Sequence, residues 1–325
     1  MRSAIHTTFG EPADVLQLGD QPVPQPGPGE VRIKTLLSPI HNHDLWTVRG
    51  QYGYKPALPA IGGSEAVGTV DALGEGVQGV ALGQRIAVAG VHGSWAEYFI
   101  APAPLLVPLP VAIADEAAAQ LIAMPLSALM LLEFLGVESG DWIVQNTANG
   151  AVGKTLAMLA AARGVHVLGL VRRDAGVDEL KALGINNVLS TAQPDWKARA
   201  QALLGDTLAH AAVDSIGGQA SADLVSLLGD NGTLVSFGTM AGEAMQIPSG
   251  DLIFKQATVK GFWGSKVSQQ MSVENKRRLV GELLQRVLSG ELELPVQAIY
   301  ELGDVAEAVT ASLLPGKIGK VLLKP

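Results

Sequence analysis

Apolar and polar residues follow two different rhythms along this chain, and the change comes near residue 113. Before it, Val31-Arg32-Ile33-Lys34-Thr35-Leu36-Leu37, Ala66-Val67-Gly68-Thr69-Val70 and Arg85-Ile86-Ala87-Val88 read as short strands. Glycines separate them, and Pro22, Pro24, Pro26 and Pro28 punctuate a loop. After it, Asp115-Glu116 opens an alanine-rich helix with an acidic first turn. Strands are then expected at 142–147, 165–171, 187–189, 211–214 and 232–237, alternating with helical stretches. Such alternation predicts a parallel, doubly wound sheet with right-handed crossovers. A further strand follows residue 256, then an amphipathic helix from Val273 to Ser289 and a last strand at Lys320-Val321-Leu322-Leu323. The expected organisation is α/β with two domains: a discontinuous β-rich one over 1–113 and 257–325, and a doubly wound one over 114–256.

Between the first two strands of the second domain lies the most informative segment, Asn146-Thr147-Ala148-Asn149-Gly150-Ala151-Val152-Gly153. An apolar strand, a tight small-residue turn and a helix at βαβ spacing form the dinucleotide-binding unit of a Rossmann domain. Gly150 lets the backbone approach a pyrophosphate and Gly153 lets the helix pack close to the sheet. The N–H groups that open the helix face the phosphates. Asn146, Asn149, Gly150, Ala151, Val152 and Gly153 are therefore candidate cofactor contacts. A plain strand-to-helix turn would also use small residues, and Ala148 stands where the first glycine of the pattern is usual. The second strand, Val165 to Val171, ends in Arg172-Arg173, a guanidinium pair suited to a ribose 2′-phosphate, so NADPH is expected rather than NADH. Asp174 follows at once and leaves the acidic alternative open. Ser236-Phe237-Gly238 ends another strand, which makes Phe237 and Gly238 candidates to lie along a nicotinamide.

The chain has 325 residues, 48% hydrophobic and 17% charged, with a net charge of −8. No basic block is present, so a nucleic-acid partner is not expected. With no cysteine there can be no disulfide, thiolate metal site or cysteine nucleophile. The opening Met1-Arg2-Ser3-Ala4-Ile5-His6 runs into polar sequence and no apolar stretch reaches membrane-spanning length. The expectation is a cytoplasmic protein acting on a small molecule, with no membrane partner.

Several motifs, in order, resemble the medium-chain dehydrogenase/reductase superfamily along the whole chain. Phe9 to Leu16 resembles its opening strand pair. Gly29-Glu30-Val31, Gly83-Gln84-Arg85-Ile86, Ser94-Trp95-Ala96-Glu97-Tyr98 and Asp214-Ser215-Ile216-Gly217-Gly218 resemble later family segments. The resemblance implies a GroES-like β-rich catalytic domain beside the Rossmann domain. It also raises the question of zinc. His41 falls at the family's first cysteine ligand, and Ser64-Glu65 falls where a His-Glu pair is usual. No metal site is therefore expected, although His41, His43 and Glu65 could in principle form a substitute. Within the zinc-free branch, Arg49-Gly50-Gln51-Tyr52-Gly53 and Gly261-Phe262-Trp263 look more like the 2-enoyl thioester reductases, but a tyrosine at this position occurs in quinone oxidoreductases too, and the choice between the two stays open. The resemblance implies Tyr52 as proton donor, with Tyr54 as the decoy, and places Phe262 and Trp263 by the substrate and nicotinamide. It also makes Lys320 a basic cofactor contact and implies a homodimer paired through edge strands of the cofactor domain, where the run Gly232 to Phe237 and its neighbours would leave an apolar edge if unpaired. A phenol is protonated at neutral pH and can donate; an imidazole can relay, which makes His41 a second catalytic candidate beside His43. The function implied is NADPH-dependent hydride transfer to an activated C=C or a quinone. A zinc-type alcohol dehydrogenase and a non-catalytic NADPH-binding protein are the alternatives.

Overall fold

Val31, Ile33, Thr35 and Leu37 are buried in alternation because Glu30–Pro39 is a ten-residue strand with neighbours on both sides. It pairs antiparallel with Glu65–Leu73, Tyr98–Pro102 and the C-terminal strand Lys320–Lys324. The computed structural model describes residues 1–325, which divide into two units: Met1–Ala123 with Leu294–Pro325, and Met124–Glu293. In the first unit the Glu30–Pro39 strand belongs to a seven-stranded, largely antiparallel sheet, and Arg2–His6, Gln17–Asp20 and Ala60–Ile61 form a three-stranded one. Trp95, fully buried, fills the core between Ala4, Leu45, Val48, Leu302 and Val321. Gly62 and Gly63 must be glycine beside it, because a Cβ on either would come within 2.2 and 2.4 Å of indole carbons. The Trp95 Nε1–H donates to the Pro39 carbonyl at 3.1 Å, which fixes the end of the Glu30–Pro39 strand just before His41.

The second unit is a six-stranded parallel sheet. Its spatial order is Val188–Ser190, His166–Val171, Trp142–Gln145, Ala209–Asp214, Leu228–Ser236, Thr258–Gly261. Numbered along the chain this is 3-2-1-4-5-6, the Rossmann order. Its core combines Val144, Leu168, Leu170, Ala212, Leu224 and Leu234.

Three expectations change. The segment 257–293 lies with the nucleotide unit rather than with the β-rich one. Thr258–Gly261 adds the sixth parallel strand. The helix Val273–Leu288 buries Leu279 and Leu283 and binds Arg163 through Glu282 at 2.7 and 3.0 Å. Where a strand was expected within 9–16, Pro12–Val15 forms one helical turn, started by Pro12 at its first position. The run Gly232 to Phe237 is not a sheet edge, because Thr258–Gly261 covers it and is itself exposed at every residue.

Replacing Trp95 by Phe removes indole volume and leaves the Pro39 carbonyl without its donor. Equilibrium denaturation should show a loss of about 2–4 kcal/mol.

Candidate active site

The strand Trp142–Gln145 leads into Asn146 and a turn in which Thr147 adopts φ 50°. Gly150 then caps the helix Ala151–Ala162 with its own φ at −70°. A Cβ at Gly153 would lie 2.8 Å from the Ala148 carbonyl oxygen, and one at Gly169 would lie 2.8 Å from the Ala148 Cβ. The turn is therefore packed against helix and neighbouring strand with no room to spare. The buried Gln145 side chain holds it from beneath, donating to the Gly153 carbonyl at 2.8 Å. Asn149, Gly150, Ala151 and Val152 stay partly accessible around the helix N-terminus, as an anion cradle requires.

Asn146 has another employment. Its amide donates to Asp214 Oδ1 at 2.7 Å, and its carbonyl accepts the Ser215 N–H at 2.8 Å. Asp214 also accepts from Ile216 N, Gly217 N and Ser221 Oγ. These bonds tie the ends of strands 1 and 4 together where the strand order reverses, the usual place for a ligand crevice in such sheets. Asp214 also holds the next strand end, its carbonyl accepting Phe237 N–H at 2.7 Å. Phe237 stacks on the buried Phe262 at 5.8 Å, and Trp263 follows, 59% exposed. Phe237, Gly238, Phe262 and Trp263 thus meet at the ends of strands 5 and 6.

Arg172 and Arg173 are exposed just after strand 2; Arg173 lies 3.6 Å from Glu179. Asp174 is turned away to other partners: hydrogen bonds from the Ser190 and Gln193 side chains hold its carboxyl below the usual carboxylate range.

In the β-rich unit, the helix Asn42–Val48 begins at His41 and faces the start of the strand Glu65–Leu73. His41 and Glu65 are both fully buried, with Nε2 and Oε2 2.6 Å apart. Glu65 Oε1 accepts the N–H groups of Ile122 and Ala123 at 2.7 and 2.8 Å. Burial pushes the Glu65 carboxyl up to about 8 against these bonds, and burial holds the His41 imidazole well below its ordinary range. His41 Nδ1 has no partner. His41, expected as a catalytic candidate, is thus sealed from any substrate, and its place is to support the groups around it. His43 is its stacked neighbour at 5.0 Å and is 26% exposed. Tyr52 is half-buried with its ring 5.7 Å from that of His43, while Tyr54 lies apart, stacked on His92. Lys320 sits in this unit and donates to the Ile40 carbonyl at 3.3 Å; its charge bears on His41 and Glu65.

Sequence reasoning missed Asp44, Ser64 in its present role, and Gln145. Asp44 carried a signal: an acid three residues after a helix-capping position returns to the cap backbone, and Asp44 Oδ2 accepts the His41 N–H at 3.0 Å.

Two family models cover most of this architecture: an alcohol dehydrogenase GroES-like domain over residues 27–111, and a zinc-binding dehydrogenase over 151–279. The human mitochondrial enoyl-[acyl-carrier-protein] reductase is 31% identical over 332 residues, spanning 99% of this chain and 88% of that protein. The chain belongs to the medium-chain dehydrogenase/reductase superfamily. Within it, the relatives place it in the zinc-free quinone- and enoyl-reductase-like branch. The same fold is seen in a mycobacterial quinone oxidoreductase, at TM-score 0.89 and 28% identity over the full length of both chains. A mycobacterial structure solved in complex with NADPH superposes at TM-score 0.88 and 29% identity, again over both chains in full.

Zinc, which one family name implies, does not fit these residues. There is no cysteine, serine holds the position of the usual histidine, and His41 Nε2 is spent on Glu65. No group of histidine, aspartate and glutamate side chains could hold a metal ion.

The Glu65 carboxyl has a measurable consequence. It holds its proton up to about pH 8 in the folded chain and loses it near the ordinary value of 4.5 when unfolded. The stability tied to that proton is full at acid pH and disappears as pH rises through 8. His41, shifted the other way, matters only below about pH 6.5, where the unfolded chain gains a proton. Between pH 7 and 9 the protein should lose about 1 kcal/mol that Glu65→Gln does not lose, read by denaturant unfolding of both proteins at the two pH values.

Proposed function

We propose that this protein is an NADPH-dependent reductase of activated C=C bonds or quinones. The observation that carries the reading is a half-buried phenol, Tyr52, with its ring 5.7 Å from that of the partly exposed His43, in a polar cluster of the β-rich unit whose residues do not make a zinc ligand set. The Rossmann unit supplies the cofactor cradle: Gly150 and Gly153 beneath the pyrophosphate, and Arg172 and Arg173 for the 2′-phosphate. Asn149, Ala151 and Val152 line that turn. Phe237, Gly238, Phe262 and Trp263 lie along the nicotinamide, Asn146 braces the turn through Asp214 and Ser215, and Lys320 of the β-rich unit is a further basic candidate for the cofactor. NADPH, when bound, supplies a hydride.

Negative charge then develops on the acceptor, and Tyr52 neutralises it by giving its hydroxyl proton. The curated relatives are enoyl reductases and several fold relatives are quinone reductases, which supports both acceptor classes. A non-catalytic NADPH-binding protein would have no use for an accessible phenol–imidazole pair. The assembly that fits best is a two-fold dimer. Its seam is the exposed strand Thr258–Gly261, preceded by a helix on which Phe254 is 85% exposed. A cytoplasmic setting suits a chain without cysteine, whereas the curated relatives are mitochondrial.

Replacing Arg172 and Arg173 together by Ala should weaken NADPH binding by roughly 10²-fold and leave NADH binding nearly unchanged. Fluorescence titration with both nucleotides checks this, and equal losses would refute the assignment.

Tyr52→Phe should keep NADPH affinity and lower turnover of an enoyl acceptor by ~10²–10⁴. Quinone reduction should suffer less, because solvent can protonate the reduced oxygens. Tyr54→Phe should be nearly silent. Steady-state rates over quinones, enones and enoyl thioesters give the comparison, and full activity of Tyr52→Phe with every acceptor would defeat the reading.

A further inference from the structure

Around His43 the hydrogen-bond directions are fixed by counting protons. Asp44 is buried, 4% exposed, and its carboxylate accepts only. Oδ2 takes the His41 N–H at 3.0 Å and Oδ1 takes the Ser64 hydroxyl proton at 2.6 Å. A serine hydroxyl has one proton, so Ser64 Oγ presents a lone pair to His43 Nε2 at 2.7 Å. Nε2 must therefore carry a hydrogen and donate it. The ring is locked with Nε2–H toward Ser64, and only Nδ1 gains or loses a proton. Asp44 Oδ1 also lies 3.5 Å from Nε2. This Asp–Ser–His chain holds the imidazole as a buried carboxylate holds a catalytic histidine elsewhere. Its product is an imidazole partly open to water and packed on Tyr52.

We propose that His43 resupplies the proton that Tyr52 gives up, with Ser64 and Asp44 as the positioning residues. The inference rests on the reading of Tyr52 as proton donor. After hydride reaches the acceptor, the resulting anion takes the Tyr52 hydroxyl proton and a phenolate remains. The phenolate oxygen takes the Nδ1 proton of the His43 imidazolium. Neutral imidazole, its Nε2–H still on Ser64, regains a proton at Nδ1 from solvent. Each turnover consumes one NADPH, one acceptor and one solvent proton, and no other oxidant or reductant enters.

The charged and titratable groups that face the ring are His41 and Asp44 on its own helix, Tyr52 on the following loop and Glu65 beside Ser64. Lys320 acts on His41 and Glu65, and His92 feels Asp44. His41 and Glu65 keep their protons to themselves, because both are closed to solvent. His43 is the group of this cluster that both meets water and touches Tyr52.

The test is chemical rescue. His43→Ala is assayed with NADPH and the acceptor that the wild type reduces fastest among quinones, enones and enoyl thioesters, with and without added imidazole, across pH. His43→Asn, whose amide can still donate to Ser64, is the second variant should the first fail to fold. Either variant should bind NADPH as the wild type does and lose about 10- to 100-fold in kcat. The wild-type fall in kcat where an imidazole deprotonates should vanish with the side chain. Imidazole should restore His43→Ala saturably and only while it is protonated, and should not restore Tyr52→Phe. Unchanged kcat and pH profile in folded His43 variants would overturn the proposal. So would a loss that imidazole never restores, since His43 would then only pack against Tyr52. A silent Tyr52→Phe would instead bring down the reading of Tyr52 on which the proposal stands, and the two failures are told apart by which variant is silent.

Discussion

A carboxyl group closed off from water at Glu65 sets the geometry of the catalytic unit. Burying such a group is costly unless donors converge on it. Three do, or share a proton with it: the N–H groups of Ile122 and Ala123 on one oxygen and the His41 ring on the other. Because His41 is held by its side chain, its backbone N–H is held too, and with it Asp44. Ser64, the residue before Glu65, then closes the ring by donating to Asp44. One buried acid thereby registers the helix Asn42–Val48 against the strand Glu65–Leu73, and His43 is presented as a result.

The nucleotide unit solves a related problem with Asp214. Strands 1 and 4 pair side by side, but past the Asn146 N–H on the Val213 carbonyl their chains diverge, and the turns that follow need a further tie. Asp214 supplies one, by taking the Asn146 amide, two backbone N–H groups and the Ser221 hydroxyl. Beside this tie, Ala151 and Val152 at the start of the helix Ala151–Ala162 stay partly accessible. In both units a buried carboxyl consumes the polar groups nearest it. What remains open is a small set: the helix N-terminus in one, His43 and Tyr52 in the other.

The zinc-free character follows from the same chemistry. Where a zinc enzyme needs thiolates and a histidine, this chain has an imidazole and a serine. Both are absorbed into direct hydrogen bonds with Glu65 and Asp44. Between His41 and Glu65 a shared proton occupies the relation that a cation would otherwise hold.

The parallel sheet, its helices and the dinucleotide turn were legible in the sequence because they are local. A strand repeats every two residues, a helix every 3.6, and a glycine-bearing turn occupies consecutive positions. Tyr52 could be picked out as a candidate because its motif is contiguous. The boundary at residue 257 was misplaced because nothing local tells an extra parallel strand from a return to the first domain. The choice lies in the pairing of Thr258–Gly261 with Leu228–Ser236 and in the contact of Arg163 with Glu282. His41 and His43 read alike in Ile40-His41-Asn42-His43-Asp44, yet one is sealed and the other meets water. Two residues apart at the start of a helix, they point to different surroundings, and strands far along the chain supply those surroundings. Sequence alone determined which elements form and which chemistries are possible. Tertiary structure decided which side chains keep their protons from solvent, because burial and hydrogen-bond direction exist only once distant segments have packed.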